Sequence, residues 1–210
     1  MSHPNPETFW NERYAEPAFA YGDTPNAFLM EHASLVRPGS RWFVPGDGEG
    51  RNGVALAALG ASVTSVDLSA VGAQKARALA AARGTSIDAK VGDLAMWAPD
   101  DASYDGVASI FVHLPPATRE AFHRRIVRAL RPGGVLLLEA FAPAQLAEGL
   151  LSGGPRVPEL LFTTEMLLAD FAGLTHVSLT EERVTLDEGT YHRGPAAVVR
   201  AVFRREGGAQ

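Results

Sequence analysis

The sequence of 210 residues has 46% hydrophobic and 20% charged residues and a formal net charge of −5, a composition typical of a single globular domain. It contains no cysteine, which excludes disulfides, cysteine nucleophiles and thiolate metal sites. A net negative surface repels phosphate backbones, so we expect no general nucleic-acid binding.

Met1–Glu7 is polar and contains no apolar signal segment. No apolar run of the chain approaches the roughly 20 residues that a bilayer-spanning helix needs. Histidine, aspartate and glutamate do not occur at the close spacings of a metal site. We therefore expect a cytoplasmic protein with no membrane partner and no bound metal.

Short apolar runs alternate with longer helical stretches up to about residue 140, a pattern that indicates a parallel sheet covered by helices. The predicted strands are Arg41–Pro45, Ala61–Val66, Ile87–Val91, Tyr104–Ile110 and Val135–Ala140. The predicted helices are Pro25–Val36, Asn52–Leu59, a helix from the N-cap Ser69 through Arg83, and one from Pro115 to Leu130.

The alternation changes in the last third of the chain. Ala142–Val157 is an irregular insertion, and Thr164–Phe171 is predicted as a short helix. Val177–Val184 and Ala197–Arg204 are predicted strands joined by a polar loop, and strands so connected can pair antiparallel. The fold class is therefore α/β, with a mostly parallel sheet that has an antiparallel edge, in one domain over residues 1–210.

A glycine-rich loop, Gly46-Asp47-Gly48-Glu49-Gly50, lies between the first strand and the next helix. Glycine lets a ligand approach the backbone closely, and the helix N-terminus offers free N–H groups. Gly48, Gly50 and Gly53 fit the dinucleotide pattern G-x-G-x-x-G, whereas Gly46, Gly48 and Gly50 fit G-x-G-x-G. The second pattern begins directly after the strand, where the turn must begin, and fits better.

Two carboxylates follow the next two strands. Asp67 ends the second strand, where a carboxylate can accept both ribose hydroxyls of an adenosyl ligand, in NAD as well as in S-adenosylmethionine (SAM). Leu68 could lie on the adenine face or in the core. Asp93 follows the third strand, where it can accept the adenine amino group while the Leu94 N–H meets a ring nitrogen. A dinucleotide fold has no fixed need for this second carboxylate, so Asp93 favours SAM.

These motifs resemble those of class I SAM-dependent methyltransferases, which have a Rossmann-like fold. The tellurite-resistance (TehB-type) and thiopurine methyltransferase-like branch is similar in further segments. Those segments are Phe9–Tyr14, Tyr21–Asn26, Ser109–Pro116 and Tyr191–Gly194. The resemblance implies a seven-stranded sheet whose last strand is antiparallel, with an N-terminal lid and helix over residues 1–36 and a core over 37–205.

The resemblance also implies which residues contact SAM. Gly46, Gly48 and Gly50 would border its methionine part, Asp67 would hold the ribose, and Asp93 the adenine amino group. Leu68, Leu94, Trp10 and Arg13 complete the implied SAM contacts. Many relatives have an acidic residue at the place of Val44, so Asp47 or Glu49 would have to replace it in recognising the ammonium group.

Three residues are candidates for catalysis. His113 follows the fourth strand, where the acceptor meets SAM in this class, and could act as a general base or only cap the following helix. His192 and Arg193 lie in the predicted loop between the last two strands and could orient an anionic acceptor. Trp10 and two lid tyrosines could favour the sulfonium through cation–π attraction.

The sequence thus predicts a SAM-dependent methyltransferase for a small-molecule acceptor such as a thiol or a chalcogen oxyanion. Two alternatives stay open: an NAD-binding oxidoreductase with a Rossmann fold, and a non-catalytic SAM-binding module.

Overall fold

The computed structural model describes residues 5–207, so the first four residues of Met1–Glu7 and the last three of the predicted domain lie outside it. Its strands are β1 (Arg41–Pro45), β2 (Ser62–Asp67), β3 (Asp88–Val91), β4 (Tyr104–Ile110), β5 (Leu130–Phe141), β6 (Thr175–Glu188) and β7 (His192–Arg204). Its helices are α1 (Pro6–Arg13), α2 (Ala27–Glu31), α3 (Arg51–Ala58), α4 (Ala70–Ala82), α5 (Pro116–Ala129), α6 (Ala144–Ala147) and α7 (Thr164–Asp170), with 3-10 turns at Ala33–Leu35 and Pro158–Leu160.

The strands form one sheet in the order β3-β2-β1-β4-β5-β7-β6. The pairs β3-β2, β2-β1, β1-β4 and β4-β5 are parallel, and β7 is antiparallel to both of its neighbours. The predicted α/β class and the antiparallel last strand are confirmed.

Both faces of the sheet are covered, as the alternation of side chains along β1 shows. Trp42 and Val44 pack in one apolar layer with Leu56 of α3. Phe43 points to the opposite layer and packs with Phe122 of α5. Because successive side chains of a strand point to opposite faces, the uninterrupted apolar run of β1 is buried on both sides.

The main corrections to the predicted elements lie at the chain's two ends. The predicted helix Pro25–Val36 is only one short helix, α2, followed by a 3-10 turn. The polar loop predicted between the last two strands is wrong, because β6 and β7 continue to a three-residue turn at residues 189–191. Their backbones keep pairing beyond the apolar residues, so the polar pattern hid the strands.

The N-terminal segment (residues 5–26) crosses the carboxyl ends of the strands. The Asn5 side chain caps α1 by accepting a hydrogen bond from the Glu7 N–H. The Asn11 side chain accepts a hydrogen bond of 2.7 Å from the Ser69 hydroxyl, and Ser69 is the N-cap of α4. The segment is thereby fixed to the same edge of the sheet as the glycine loop.

Candidate functional site

The glycine loop (residues 46–50) joins β1 to α3. Gly46, Gly48 and Gly50 have φ angles of 60°, 55° and 91°, which residues with a Cβ rarely adopt. Space is also limiting, because a Cβ on Gly48 would lie 2.6 Å from the Tyr14 hydroxyl. A Cβ on Gly50 would lie 2.6 Å from a side-chain atom of α4. The loop therefore needs glycine for its conformation and for close packing.

Asp67 ends β2 beside this loop. Its Oδ2 accepts the Gly48 N–H at 2.9 Å, and its Oδ1 accepts the Ser69 N–H at 2.8 Å. Burial raises the pKa of Asp67, although these two hydrogen bonds oppose the shift. A carboxylate has about four acceptor sites, so each oxygen keeps one for a ligand.

Asp93 and Leu94 follow β3, two residues beyond the point where Val91 pairs with Asp67. Asp93 Oδ1 accepts the Ala95 N–H at 2.8 Å, and no group within residues 5–207 accepts a hydrogen bond from the Leu94 N–H. Arg125 of α5 donates to the carbonyls of Leu94 and Ala95 at 2.8 and 2.9 Å. Arg125 therefore fixes this segment, a contact that the sequence analysis missed.

The ends of three neighbouring strands thus place the glycine loop, Asp67 and Asp93 along one edge of the sheet. Leu68, between Asp67 and the N-cap of α4, is half-buried at the same edge. The edge presents carboxylate acceptors and a free N–H, which can bind a ligand that has vicinal hydroxyls and a nitrogen heterocycle.

The other acidic residues of the loop are engaged inside the protein. Glu49 Oε2 accepts the Ala20 N–H at 2.7 Å, and its Oε1 lies 2.5 Å from the Lys75 ammonium group. Asp47 Oδ1 accepts the Gly53 N–H at 3.1 Å, while Oδ2 is buried without a hydrogen-bond donor. Burial raises the pKa of Asp47 to about 7. Val44 is a buried apolar residue of β1.

Aromatic residues of the N-terminal segment stack above the loop. The rings of Trp10 and Tyr14 are stacked with centroids 5.6 Å apart, and Tyr21 lies within 6.5 Å of both. The Arg13 guanidinium lies 3.7 Å from the centre of the Tyr191 ring. Trp10 and Arg13, both predicted as SAM contacts, thus belong to one cluster next to the loop.

His192 lies in a second aromatic cluster at the ends of β4 and β5. Its ring centroid is 4.5 Å from those of Tyr21 and Phe111 and 5.3 Å from that of Phe141. Phe111, directly after β4, has a φ of 56°, which is uncommon and strained for a bulky residue. Such strain persists only where the surrounding structure imposes it, and here the Phe111 ring packs against His192.

His113 also lies at the end of β4, but both of its ring nitrogens are engaged by backbone groups. Nδ1 lies 2.7 Å from the Leu160 carbonyl oxygen, and Nε2 lies 3.3 Å from the Phe141 amide nitrogen. Burial lowers the pKa of His113 to about 4. In this conformation neither nitrogen is free to take a proton from an acceptor.

The structure places the side chains of Arg193 and His192 in different surroundings. Both belong to β7 rather than to a loop, and adjacent side chains of a strand point to opposite faces. His192 is buried, whereas the Arg193 side chain is 78% exposed and lies 3.7 Å from Asp187.

A buried polar network connects the helix after the glycine loop to the β6–β7 hairpin, and it could not be predicted from the sequence. Glu188 accepts hydrogen bonds from Arg51 at 2.7 Å and Asn26 at 3.0 Å. Asn26 also lies 3.4 Å from Glu139, which pairs with Arg200 at 2.9 Å. The only sequence signal was the position of Arg51 directly after the glycine loop, because the others come together only in the folded sheet.

Within residues 5–207, no group of histidine, aspartate and glutamate side chains is arranged to hold a metal ion. No helix in the same range is long and apolar enough to cross a membrane.

The sheet order defines a Rossmann-like α/β domain, and comparison with known proteins shows its family. Residues 45–134 match the family described as Methyltransferase domain. Over 148 residues the chain is 30% identical to a protein-L-isoaspartate O-methyltransferase of Methylorubrum populi, covering 65% of this chain and 67% of that protein. The chain belongs to the SAM-dependent methyltransferases, and its methyl-donating cofactor is SAM.

Solved structures share the whole fold at low sequence identity. A structure that concerns the conversion of a disulfide bond into a thioacetal group during echinomycin biosynthesis has a TM-score of 0.75 at 22% sequence identity. The match covers 97% of this chain and 91% of the other chain. For TehB from Haemophilus influenzae the TM-score is 0.69 at 18% sequence identity, and the match covers 95% of this chain and 67% of the TehB chain. The N-methyltransferase NodS from Bradyrhizobium japonicum was solved with S-adenosylhomocysteine bound. Its TM-score is 0.68 at 17% sequence identity, and the match covers 95% of this chain and 97% of the NodS chain.

Because the chain belongs to this family, the alternative of an NAD-binding oxidoreductase is excluded.

Proposed function

We propose that this methyltransferase acts on a small molecule enclosed by the N-terminal segment, as a member of the TehB-type and thiopurine methyltransferase-like branch. The aromatic cluster around His192 carries the proposal. It lies at the ends of β4 and β5, under the N-terminal segment, and Tyr21 of that segment forms one of its walls. Because this segment lies so close to the strand ends, the acceptor would be small and water would be excluded from the transfer.

The residues along the strand ends fit the adenosine part of SAM. Asp67 keeps one acceptor site on each oxygen, which matches the two ribose hydroxyls. Asp93 keeps Oδ2 for the adenine amino group, and the Leu94 N–H has no acceptor within residues 5–207. Leu68 directly follows Asp67 and would contact the ring.

The methionine part of SAM would lie along Gly46, Gly48 and Gly50. Arg13 would pair with its carboxylate, since a guanidinium donates to both oxygens of such a group. The Trp10 ring next to it would stabilise the sulfonium through its π face. We assign the ammonium group to neither Asp47 nor Glu49, because burial and internal partners engage both.

SAM supplies a methyl carbon on a positively charged sulfur, which is already a good leaving group. The protein must hold the acceptor in line with that carbon, roughly 3–3.5 Å away, in a dry pocket. Phe111 and Phe141 would hold the acceptor, and His192 would orient it or take its proton. His113 would position the Phe141 backbone through its ring nitrogen. Arg193 has no part in this pocket, because its side chain points to solvent.

Methyl transfer to a panel of acceptors tests the proposal. The purified protein is incubated with SAM and, separately, with thiols, phenols, amines, tellurite or selenite, an isoaspartyl peptide, a folded protein and an RNA. S-adenosylhomocysteine and the methylated product are quantified by mass spectrometry. We expect turnover with at least one small acceptor and none with the folded protein or the RNA.

Two results would contradict the proposal. Turnover of RNA, protein or the isoaspartyl peptide, with none of any small acceptor, would overturn the small-molecule substrate. SAM binding with no turnover across the whole panel would favour the non-catalytic module.

A further inference from the structure

Glu188 and His192 face each other across the turn of the β6–β7 hairpin. They are the last residue of β6 and the first of β7, and they pair directly in the antiparallel register. His192 Nδ1 lies 3.3 Å from Glu188 Oε2. The carboxylate therefore accepts the hydrogen of Nδ1, which leaves Nε2 as the proton-accepting nitrogen of a neutral ring.

Glu188 is itself held rigidly. Arg51 donates to Oε2 at 2.7 Å and Asn26 donates to Oε1 at 3.0 Å, and the side chain is 11% exposed. Burial alone would raise the pKa of this carboxyl group. The hydrogen bond from His192 and the charge of Arg51 outweigh burial and lower the pKa of Glu188 to about 2. The carboxylate is thus charged at every physiological pH.

We propose that Glu188 is the positioning residue that directs Nε2 of His192 toward the acceptor, and that the acceptor is an uncharged molecule with an O–H, N–H or S–H group. This inference rests on the proposed function and narrows its substrate class. An oxyanion has no proton to give and would need a free cation, whereas His192 offers a proton acceptor among aromatic side chains.

The charges around His192 support an uncharged acceptor. Arg51 is paired with Glu188, and Arg200 is paired with Glu139. Arg13 from α1 stacks on Tyr191 and interacts with the Tyr21 hydroxyl. Tyr21 and Tyr191 are the neighbouring tyrosines, and burial raises the pKa of Tyr21, so its hydroxyl is uncharged. His113 is neutral because burial lowers its pKa to about 4. Phe111 and Phe141 complete the walls.

The proton and electron balance of the step is simple. The acceptor gives its proton to His192 Nε2, and its heavy atom uses the released electron pair to bond to the methyl carbon. The carbon–sulfur electron pair stays on the departing sulfur. The protonated ring, stabilised by Glu188, then returns its proton to solvent. Since burial lowers the pKa of His192 while Glu188 opposes the shift, the ring is neutral at pH 7 and ready to accept a proton.

The variant Glu188→Gln tests the assignment, with Glu181→Gln as the matched control on an exposed side chain of the same strand. Long-range ¹H–¹⁵N NMR of the free protein reads the tautomer and the pKa of His192. We expect the wild type and the control to carry the proton on Nδ1. Loss of the carboxylate should lower the pKa of His192 in Glu188→Gln by about one unit or more.

Turnover gives the second measurement. With an uncharged protic acceptor, kcat of Glu188→Gln should fall about ten-fold or more, and the acid limb of its pH profile should move to lower pH. With a thiol added at a pH where it is already ionised, the two proteins should differ less than two-fold. The Kd of S-adenosylhomocysteine should stay within two-fold throughout.

Two outcomes would overturn the inference. An unprotonated Nδ1 in the wild type would contradict the hydrogen bond between His192 and Glu188. So would a pKa of His192 that is the same in Glu188→Gln as in the wild type. Equal losses of kcat with ionised and with protic acceptors would contradict proton transfer to His192. If no acceptor is methylated, the proposed function fails, and the NMR measurement still decides the Glu188–His192 pairing on its own.

Discussion

Asp67 and Asp47 show how the same side chain serves opposite purposes twenty residues apart. Asp67 lies at the strand edge with an open acceptor site on each oxygen. Asp47 turns away into the protein, and one of its oxygens lacks a donor. Asp67 is suited to accept hydrogen bonds from a ligand, whereas a charged Asp47 destabilises the folded protein because its burial is unfavourable.

Asp67→Ala should weaken SAM binding about 10- to 100-fold, because a charge-assisted hydrogen-bond acceptor typically contributes about 1.5–3 kcal/mol. Isothermal titration calorimetry with S-adenosylhomocysteine measures the change. Asp88→Ala removes an exposed carboxylate from β3 and serves as the control. An unchanged affinity in a folded Asp67→Ala protein would refute the ribose assignment.

Asp47→Asn should make folding stability less dependent on pH. The folded protein holds the Asp47 proton up to about pH 7, whereas the ordinary carboxyl group loses it near 3.8. The contribution of Asp47 to stability is therefore complete below pH 3.8 and is lost as the pH rises to about 7. The variant lacks this loss, so its stability relative to wild type should increase across that window and stay constant above it.

Urea unfolding at pH 5 and pH 8 measures the difference, with Asp88→Asn as an exposed control. Glu139, whose pKa burial raises to about 7, is present in both proteins and so does not contribute to their difference. A stability difference between variant and wild type that is the same at pH 5 and pH 8 would contradict the prediction.

The sequence could predict single residues where function requires a local pattern. Gly46, Gly48 and Gly50 are grouped by spacing alone, and Asp67 follows a recognisable strand. Glu188 could not be predicted, because its partners Arg51 and Asn26 are more than 130 positions away in the chain. The directions of the His113 and Arg193 side chains could not be predicted, because periodicity does not give them without correct strand boundaries.

Among the elements, the N-terminal segment and the β6–β7 hairpin lie next to the strand ends that we propose as the SAM site. Lys75 of α4 holds the segment, since its ammonium group donates to the carbonyls of Glu16 and Ala18 at 2.8 and 2.9 Å and pairs with Glu49 of the glycine loop. The loop and the cover thus share one cation. The hairpin was mispredicted as two short strands because its outer half is polar, although backbone pairing needs no apolar side chains.

Lys75→Met should loosen the N-terminal segment while the core stays intact. The methionine keeps the apolar stem but loses the donors to Glu16 and Ala18 and leaves Glu49 without its ion pair. Hydrogen exchange of residues 15–21 should accelerate at least ten-fold, and S-adenosylhomocysteine should dissociate faster. Lys90→Met, on exposed β3, is the control. Unchanged exchange in that segment would show that other contacts hold it.

At the scale of the whole molecule, the sequence predicted the fold because alternating strands and helices leave few topologies, and parallel crossovers are almost always right-handed. It predicted the antiparallel edge because two strands joined by a short connection cannot be parallel. It could not predict how the N-terminal segment closes over the strand ends, since that arrangement depends on Lys75, Asn11 and Asn26 meeting distant partners.

We propose that the strand-end edge formed by the glycine loop, Asp67 and Asp93 is the SAM site of this methyltransferase. A thermal-shift measurement with SAM, S-adenosylhomocysteine and NADH tests it most directly. Ligand at about 100 times its dissociation constant adds roughly 2.7 kcal/mol to the free energy of unfolding. We predict that SAM and S-adenosylhomocysteine raise the melting temperature and that NADH does not. A clear shift with NADH and none with SAM would contradict the account.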